Sequence, residues 1–309
     1  MFHILHSVTK SFASTLIGIA LYQGLLDNLS QRVIDFFPEY EIQNLDNRKQ
    51  NMTIEHLLTM TTGLDWDEQS YPYTDTERNN HGALLSSRDS MEYFLNVPMA
   101  YEPGEQWEYC GGASIALCAI VEQISGNDTQ DFAQEYLFDP LGISSLIWLD
   151  APGGWCNGGG GLFLAPKDMA KLGLLYMNNG VWDGLQILPE DWVEISTENL
   201  WMRWGTPEQG VGYGRHWWTM PHLDVYFAFG AYGQHIFVDA SNSLIVTMTG
   251  DIGNDEYYPM FELFEDYIIL AINGTDNSLV IIGVGMTITG LVSVIVVIAF
   301  KRRGRLGIE

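Results

Sequence analysis

Ser7-Val8-Thr9-Lys10 runs straight into the apolar stretch 11–26, and the reading of these residues decides the fold. On a helix, positions i and i+3 share a face, so the Lys10 amine is expected beside the Ser7 oxygen. A serine hydroxyl is a poor nucleophile until a base takes its proton. The N-terminal end of a helix also favours negative charge developing there. Taken alone, the tetrad is better read as a helix N-cap serine followed by a solvated lysine. The rest of the chain has to decide between the two.

The 309 residues allow one large domain or two small ones, and 10 Trp, 15 Tyr and 14 Phe supply a sizeable core. A formal net charge of -25 argues against a nucleic-acid partner and fits an acidic, solvated surface. Cys110 and Cys118 are expected on one helix, too far apart to bridge, and Cys156 meets either of them only through tertiary contact. No His-Glu-x-x-His or other metal spacing appears, so neither a metal nor an organic cofactor is expected.

Periodicity, caps and breakers predict helices over 7–26, 31–37, 53–60, 88–97, 111–125, 129–137, 166–178 and 188–196. The polar, aromatic stretch 65–87 reads as a loop at the mouth of a site. Stretches 212–219, 234–239 and 244–250 read as three antiparallel strands, and 255–273 as a closing helix. Helices in the middle and strands near the end indicate an α+β fold: an antiparallel sheet flanked by helices, with an all-α region.

Four further stretches set the Ser-x-x-Lys tetrad in context. They are Ile54-Glu55-His56-Leu57-Leu58-Thr59-Met60-Thr61-Thr62-Gly63-Leu64, Pro103-Gly104-Glu105-Gln106-Trp107-Glu108-Tyr109, Asp139-Pro140-Leu141-Gly142-Ile143, and the run from Gly158-Gly159-Gly160-Gly161-Leu162 through Ala165-Pro166-Lys167-Asp168 and Gly180-Val181-Trp182-Asp183-Gly184 to Pro189. In order and spacing the chain resembles the serine β-lactamases and penicillin-binding proteins, in the branch of class C-like enzymes, esterases and 6-aminohexanoate-dimer hydrolases. The resemblance covers about residues 4 to 250 and implies the serine β-lactamase/transpeptidase-like fold.

The resemblance implies Ser7 as nucleophile, Lys10 as base and Tyr109 as a second proton relay. The related Tyr-x-Asn motif is Tyr109-Cys110-Gly111 here, with Gly111 in place of the amide that helps hold a substrate. This lowers the expectation of β-lactam turnover. The third family motif, Lys/His-Thr/x-Gly on the strand lining the site, is matched by Phe229-Gly230-Ala231-Tyr232-Gly233-Gln234, without a lysine or histidine. The backbone N–H groups of Ser7 and Ala231 are the expected oxyanion hole, with Gly230, Tyr232, Gly233, Gln234 and Gly111 as substrate-binding positions. Gly158 to Gly161 is expected as a tight turn beside the site, Lys167 and Asp168 as a solvated helix start, and His56 and His235 as core or hydrogen-bonded residues. The expected activity is hydrolysis of a small ester, amide or peptide through a Ser7 acyl-enzyme. A D-amino-acid peptidase or penicillin-binding protein, and a non-catalytic surface binding protein retaining the fold, are the alternatives.

The 23 uncharged residues 278–300, followed by Lys301-Arg302-Arg303-Gly304-Arg305, are expected to cross a membrane once, with the basic tail 301–309 in the cytoplasm and the catalytic portion outside. Residues 274–277 then form a linker after a hydrolase domain spanning 1–273. The six residues ahead of Ser7 contain no signal peptide and are fewer than the family places there. The domain is therefore expected to be N-terminally incomplete, lacking the first strands of its sheet. The apolar run Leu16-Ile17-Gly18-Ile19-Ala20-Leu21 is expected to lose its cover, and the chain to fold poorly.

Overall fold

The computed structural model of the chain describes residues 1–206, 210–251 and 258–270, together with the backbone of a short ladder between Lys301–Arg302 and Arg305–Leu306. The helices are α1 (Thr9–Tyr22), α2 (Asn47–Gln50), α3 (Ile54–Leu58), α4 (Asn80–Ser86), α5 (Ser90–Asn96), α6 (Gly111–Ser125), α7 (Thr129–Ala133), α8 (Pro166–Met177), α9 (Trp192–Ser196) and α10 (Tyr258–Glu262). The strands are β1 (His3–Ile4), β2 (Ile147–Trp148), β3 (Leu162–Leu164), β4 (Val181–Trp182), β5 (Leu185–Gln186), β6 (Trp201–Trp204), β7 (Val211–Tyr213), β8 (Trp218–Met220), β9 (Val225–Gly230), β10 (Gln234–Asp239) and β11 (Leu244–Met248).

Local chemistry sets the helix ends. Asp89 accepts from the backbone N–H groups of Met91 and Glu92 at the start of α5, and Asn79 accepts from Gly82 at the start of α4. Thr53 and His56 form a reciprocal capping box on α3. Pro166 occupies the first turn of α8, where its missing N–H costs nothing. α6 ends on Gly126 at φ 69°, a left-handed position that glycine adopts without strain.

The main sheet is antiparallel in the order β11-β10-β9-β8-β7-β6, and β9 and β10 form a hairpin with Gln234 opposite Gly230. All six residues of β10 are buried, because both faces of the sheet are covered. On one face Ile236, Val238 and Ile245 meet α8 at Gly173. On the other, Phe237 stacks on Phe264 with ring centroids 4.2 Å apart, beside Phe261 of α10. A smaller sheet in the order β1-β3-β2 ties the N-terminal residues to the segment after the glycine turn. The helical region packs around α6, whose residues from Gly111 through Val121 are all buried.

α1 links these two regions. Ser11 Oγ and Ser14 Oγ donate to the His216 and Arg215 carbonyls, and Thr15 Oγ1 bonds the Tyr176 hydroxyl. Its hydroxyls therefore replace the missing polar face with specific partners. Leu16, Ile17, Ile19 and Ala20 are fully buried, which corrects the expectation that this run loses its cover. Trp192 of α9 lies directly over Gly18.

Several expected elements differ. The stretch 65–87 contains α4, because Asn79 caps it and its apolar Leu84 is buried. The strand expected at 212–219 is two strands, β7 and β8, separated by a tight turn with His216 at φ 63°. β6 and β9 complete a six-stranded sheet rather than three strands. The helix expected at 188–196 begins only at Trp192, and the one expected at 31–37 is a single turn from Val33 to Phe36. Asp168 is buried and paired with Lys171 at 2.8 Å, not solvated. The expected linker 274–277 and membrane span 278–300 lie outside the described residues. Among the described residues no helix is long and apolar enough to cross a membrane.

A Cβ on Gly18 would lie 2.6 Å from the fully buried Trp192 ring. Gly18→Ala is therefore expected to destabilise the fold by about 1–2 kcal/mol, the overpacking cost exceeding the gain in helix propensity. Denaturant unfolding checks this; an unchanged or raised midpoint contradicts the packing described.

Candidate active site

Ser7 lies in a single 3-10 turn, His6–Val8, that leads into α1. Backbone pairing fixes this turn from outside: Leu5 N–H donates to Leu162 O at 2.8 Å, and Leu162 N–H reaches Thr9 Oγ1 at 3.3 Å. His6 is held at φ 48°, a left-handed conformation unusual for a side-chain-bearing residue. Such strain persists only where surrounding contacts over-determine it. The constraint comes from Gly230 at the end of β9: a Cβ there would lie 2.2 Å from Leu5 O and 3.1 Å from Ser7 N. The strand backbone thus presses against the serine turn as closely as glycine allows.

Lys10 is only 3% exposed, and its Nζ lies 3.4 Å from Ser7 Oγ. The same amine donates to Gly159 O at 2.6 Å. The glycine run 158–161 thus comes to the site as a tight turn, offering a backbone carbonyl rather than a phosphate cradle. Burial pushes the Lys10 pKa down, opposed by the charge of Glu68. A buried amine of this kind is poised to accept a proton from the neighbouring hydroxyl.

Tyr109 arrives from the segment before α6. Its hydroxyl faces Ser7 closely enough to influence its own titration, and its ring lies 4.9 Å from Lys10 Nζ. Burial holds its pKa well above the ordinary tyrosine value, so the phenol stays protonated and serves as a donor. The ring also packs on Trp107 and Trp218, with centroids 5.9 and 6.3 Å away. Tyr109 is therefore both a core aromatic and a member of the Ser7 cluster.

Ala231–Gly233 forms the turn between β9 and β10, with Tyr232 at φ 62° and Gly233 at φ 93°. The Tyr232 ring meets the His6 ring at 4.9 Å, joining the two strained turns. Gln234 departs from its expected role: its amide donates to Gly250 O at 2.7 Å and Tyr232 O at 3.3 Å, bracing the turn from behind. Gly111 is the first residue of α6, and a Cβ there would lie 2.4 Å from His81 Nδ1 and 3.2 Å from Glu68 Oε2. His56 belongs to the α3 cap, and His235 is a buried ring stacked on Phe237.

Glu68, His81 and His216 complete the surroundings, none of them assigned a role from the sequence, together with Gly159 of the turn expected beside the site. His216 Nδ1 donates to Leu58 O and its Nε2 accepts from Ser114 Oγ, at 2.8 Å each, and burial lowers its pKa to about 3. It is a neutral tie between α6, α3 and the β7–β8 turn. Trp66-Asp67-Glu68 carried the available signal for Glu68, an acid beside a tryptophan in an aromatic stretch. Cys110, Cys118 and Cys156 are buried free thiols, and burial raises the Cys156 pKa well above the ordinary thiol value. No cluster of metal-ligating side chains occurs among the described residues.

A cleft of about 320 Å³ opens against this cluster, lined in part by Asp65, Asp67, Glu68, Tyr101, Glu108 and Tyr109. Its lining includes four carboxylates and no lysine or arginine.

The chain is 26% identical over 265 residues to the 6-aminohexanoate-dimer hydrolase of Paenarthrobacter ureafaciens, covering 80% of this chain and 66% of that protein. It is 26% identical to Esterase EstB of Burkholderia gladioli over 48% of this chain and 38% of the esterase. The chain thus spans less than two thirds of the length of these curated relatives. The penicillin binding protein of Bacillus halodurans shares the fold with a TM-score of 0.63 at 19% identity, covering 86% of each chain. The profile of the Beta-lactamase family matches residues 2–258, and the chain belongs to that family.

Proposed function

We propose that the protein is a serine hydrolase that cleaves a small ester or amide through an acyl-enzyme on Ser7. The observation that carries this reading is the buried Lys10 amine 3.4 Å from Ser7 Oγ, with the Tyr109 ring 4.9 Å from the same amine. Neutral Lys10 takes the Ser7 proton as Oγ attacks the carbonyl carbon. The resulting oxyanion lies at the Ser7 N–H and the β9–β10 turn, where Ala231 supplies the second donor. Tyr109 passes the proton from Lys10 to the leaving group. Water then attacks the acyl carbon, the same two residues carry its proton, and the acid departs as Ser7 recovers its hydrogen.

The acidic cleft supports a substrate whose groups near Tyr109 are neutral or cationic. A terminal carboxylate, as on a β-lactam or the end of a peptide, meets repulsion from Asp65, Asp67 and Glu108 there. This favours simple esters and amides over the D-amino-acid peptidase reading. The name of the esterase fits the same chemistry, and that of the amide-dimer hydrolase fits cleavage of an amide.

With p-nitrophenyl acetate as substrate, Ser7→Ala is expected to abolish turnover, and Lys10→Ala to nearly abolish it. Wild-type turnover by a folded Ser7→Ala variant contradicts the proposal. Tyr109→Phe keeps the ring and its packing while removing the hydroxyl. It is expected to lower kcat about 10²- to 10⁴-fold with little change in melting temperature. A large loss of stability with undiminished turnover per folded molecule assigns Tyr109 to the core alone.

A further inference from the structure

We infer that Glu68 is the internal counter-charge of Lys10 and a positioning residue for the Tyr109–Gly111 segment, an assignment that rests on the Ser7 reading above. Glu68 is 4% exposed, and burying an uncompensated carboxylate is costly. Its Oε2 accepts from Trp66 Nε1 at 2.8 Å and from Gly111 N–H at 2.6 Å. The second donor is the first amide of α6, so the carboxylate caps the positive end of a 15-residue helix. His81 Nδ1 lies 3.8 Å from the same oxygen and has no hydrogen-bond partner of its own.

These contacts explain the glycine that replaces the family's asparagine. The volume a side chain at 111 would fill is taken by the His81 ring and the Glu68 carboxylate. The helix start has exchanged its own side chain for an acid and an imidazole brought in from 68 and from α4.

The charge inventory around Lys10 assigns the acid its role. His6 faces the amine from the serine turn, Tyr109 and Cys110 from the segment before α6, His81 from α4, and His216 from the β7–β8 turn. The three histidines have lowered pKa values, and Tyr109 and Cys110 raised ones, so all five are uncharged near neutral pH. Glu68 is the carboxylate whose field raises the Lys10 pKa against burial. When the Ser7 O–H bond breaks and Oγ bonds to the substrate carbon, the proton makes Lys10 an ammonium ion in a nearly dry site. The Glu68 carboxylate stabilises that ion, and the charge disappears when Tyr109 relays the proton to the leaving group.

The test compares wild type, Glu68→Gln and Glu68→Asp by two readouts. The first is the Lys10 titration followed by ¹³C NMR of ε-labelled lysine in a Ser7→Ala background, which needs no turnover. The resonance is assigned by its loss in Lys10→Met among the five lysines of the chain. The second is the acidic limb of kcat/KM against pH with p-nitrophenyl acetate. The Gln amide oxygen still accepts from Trp66 and Gly111. Glu68→Gln is therefore expected to keep the fold and to lower the Lys10 pKa by about one unit or more, moving the acidic limb to lower pH by the same amount. Glu68→Asp retains the charge and is expected to hold the titration closer to wild type than Glu68→Gln does. Should Glu68→Gln prove unstable, an Asp variant with a wild-type titration supports the counter-charge, because shape is altered while charge is kept. A Lys10 titration unmoved in folded Glu68→Gln, or shifted equally in the Asp and Gln variants, overturns the inference. Absence of Ser7-dependent turnover with the titration shifted instead refutes the proposed reaction and leaves the counter-charge standing.

Discussion

A lysine held out of water beside a serine hydroxyl is the constraint on which the rest of this structure depends. Lys10 is 3% exposed, and an ammonium ion in such a place loses most of its hydration. Three features of the fold answer that cost. The carbonyl of Gly159 accepts from the amine, the face of Tyr109 covers it, and the buried carboxylate of Glu68 supplies opposite charge in its neighbourhood. Together they offset part of that cost, while burial still draws the Lys10 pKa below the ordinary lysine value.

The partners of Lys10 come from far apart in the chain, so the fold has to be rigid to bring them together. α1 carries the lysine and is pinned on the sheet side by Ser11 and Ser14 to the 215–216 backbone, and by Thr15 to Tyr176. The serine turn is squeezed between β3, which fixes Leu5 and Thr9, and β9, which approaches through Gly230. The left-handed His6 and Tyr232, whose rings meet at 4.9 Å, mark the place where this squeeze is felt by the backbone. Arg215 adds a further clasp, pairing with Glu55 of α3 through two nitrogens at 2.7 and 2.8 Å. Such a bidentate pair fixes direction as well as distance.

Much of this was legible in the chain. The spacing of Ser7 and Lys10, the place of Tyr109 after Pro103-Gly104-Glu105, and the glycines at 158–161 and 230–233 each pointed to their neighbours, because short-range geometry is written in short-range sequence. α6 was readable to the residue from its apolar run and its terminal Gly126. The sheet was less so: β6 and β9 were missed, and β7 and β8 were merged, since a run of aromatic and β-branched residues does not announce where a tight turn falls. Glu68 and His81 were illegible for another reason. Their importance comes from meeting Gly111 from distant points in the chain, and the tryptophan near Glu68 is too weak a local signal to lift either residue out of the polar loop read over 65–87. Gln234 shows the reverse error, a motif residue whose amide turns away to brace Gly250.

The claim that Lys10 activates Ser7 is tested most directly by covalent capture. The protein is treated with a p-nitrophenyl alkylphosphonate near neutral pH, digested with trypsin, and the peptides are weighed. Cleavage after Lys10 releases residues 1–10, in which Ser7 is the one serine. The account predicts stoichiometric phosphonylation of that peptide at Ser7, with p-nitrophenol released, and a rate that collapses in Lys10→Met. An unmodified 1–10 peptide, an adduct elsewhere in the chain, or a Lys10→Met variant labelled as fast as wild type would contradict it.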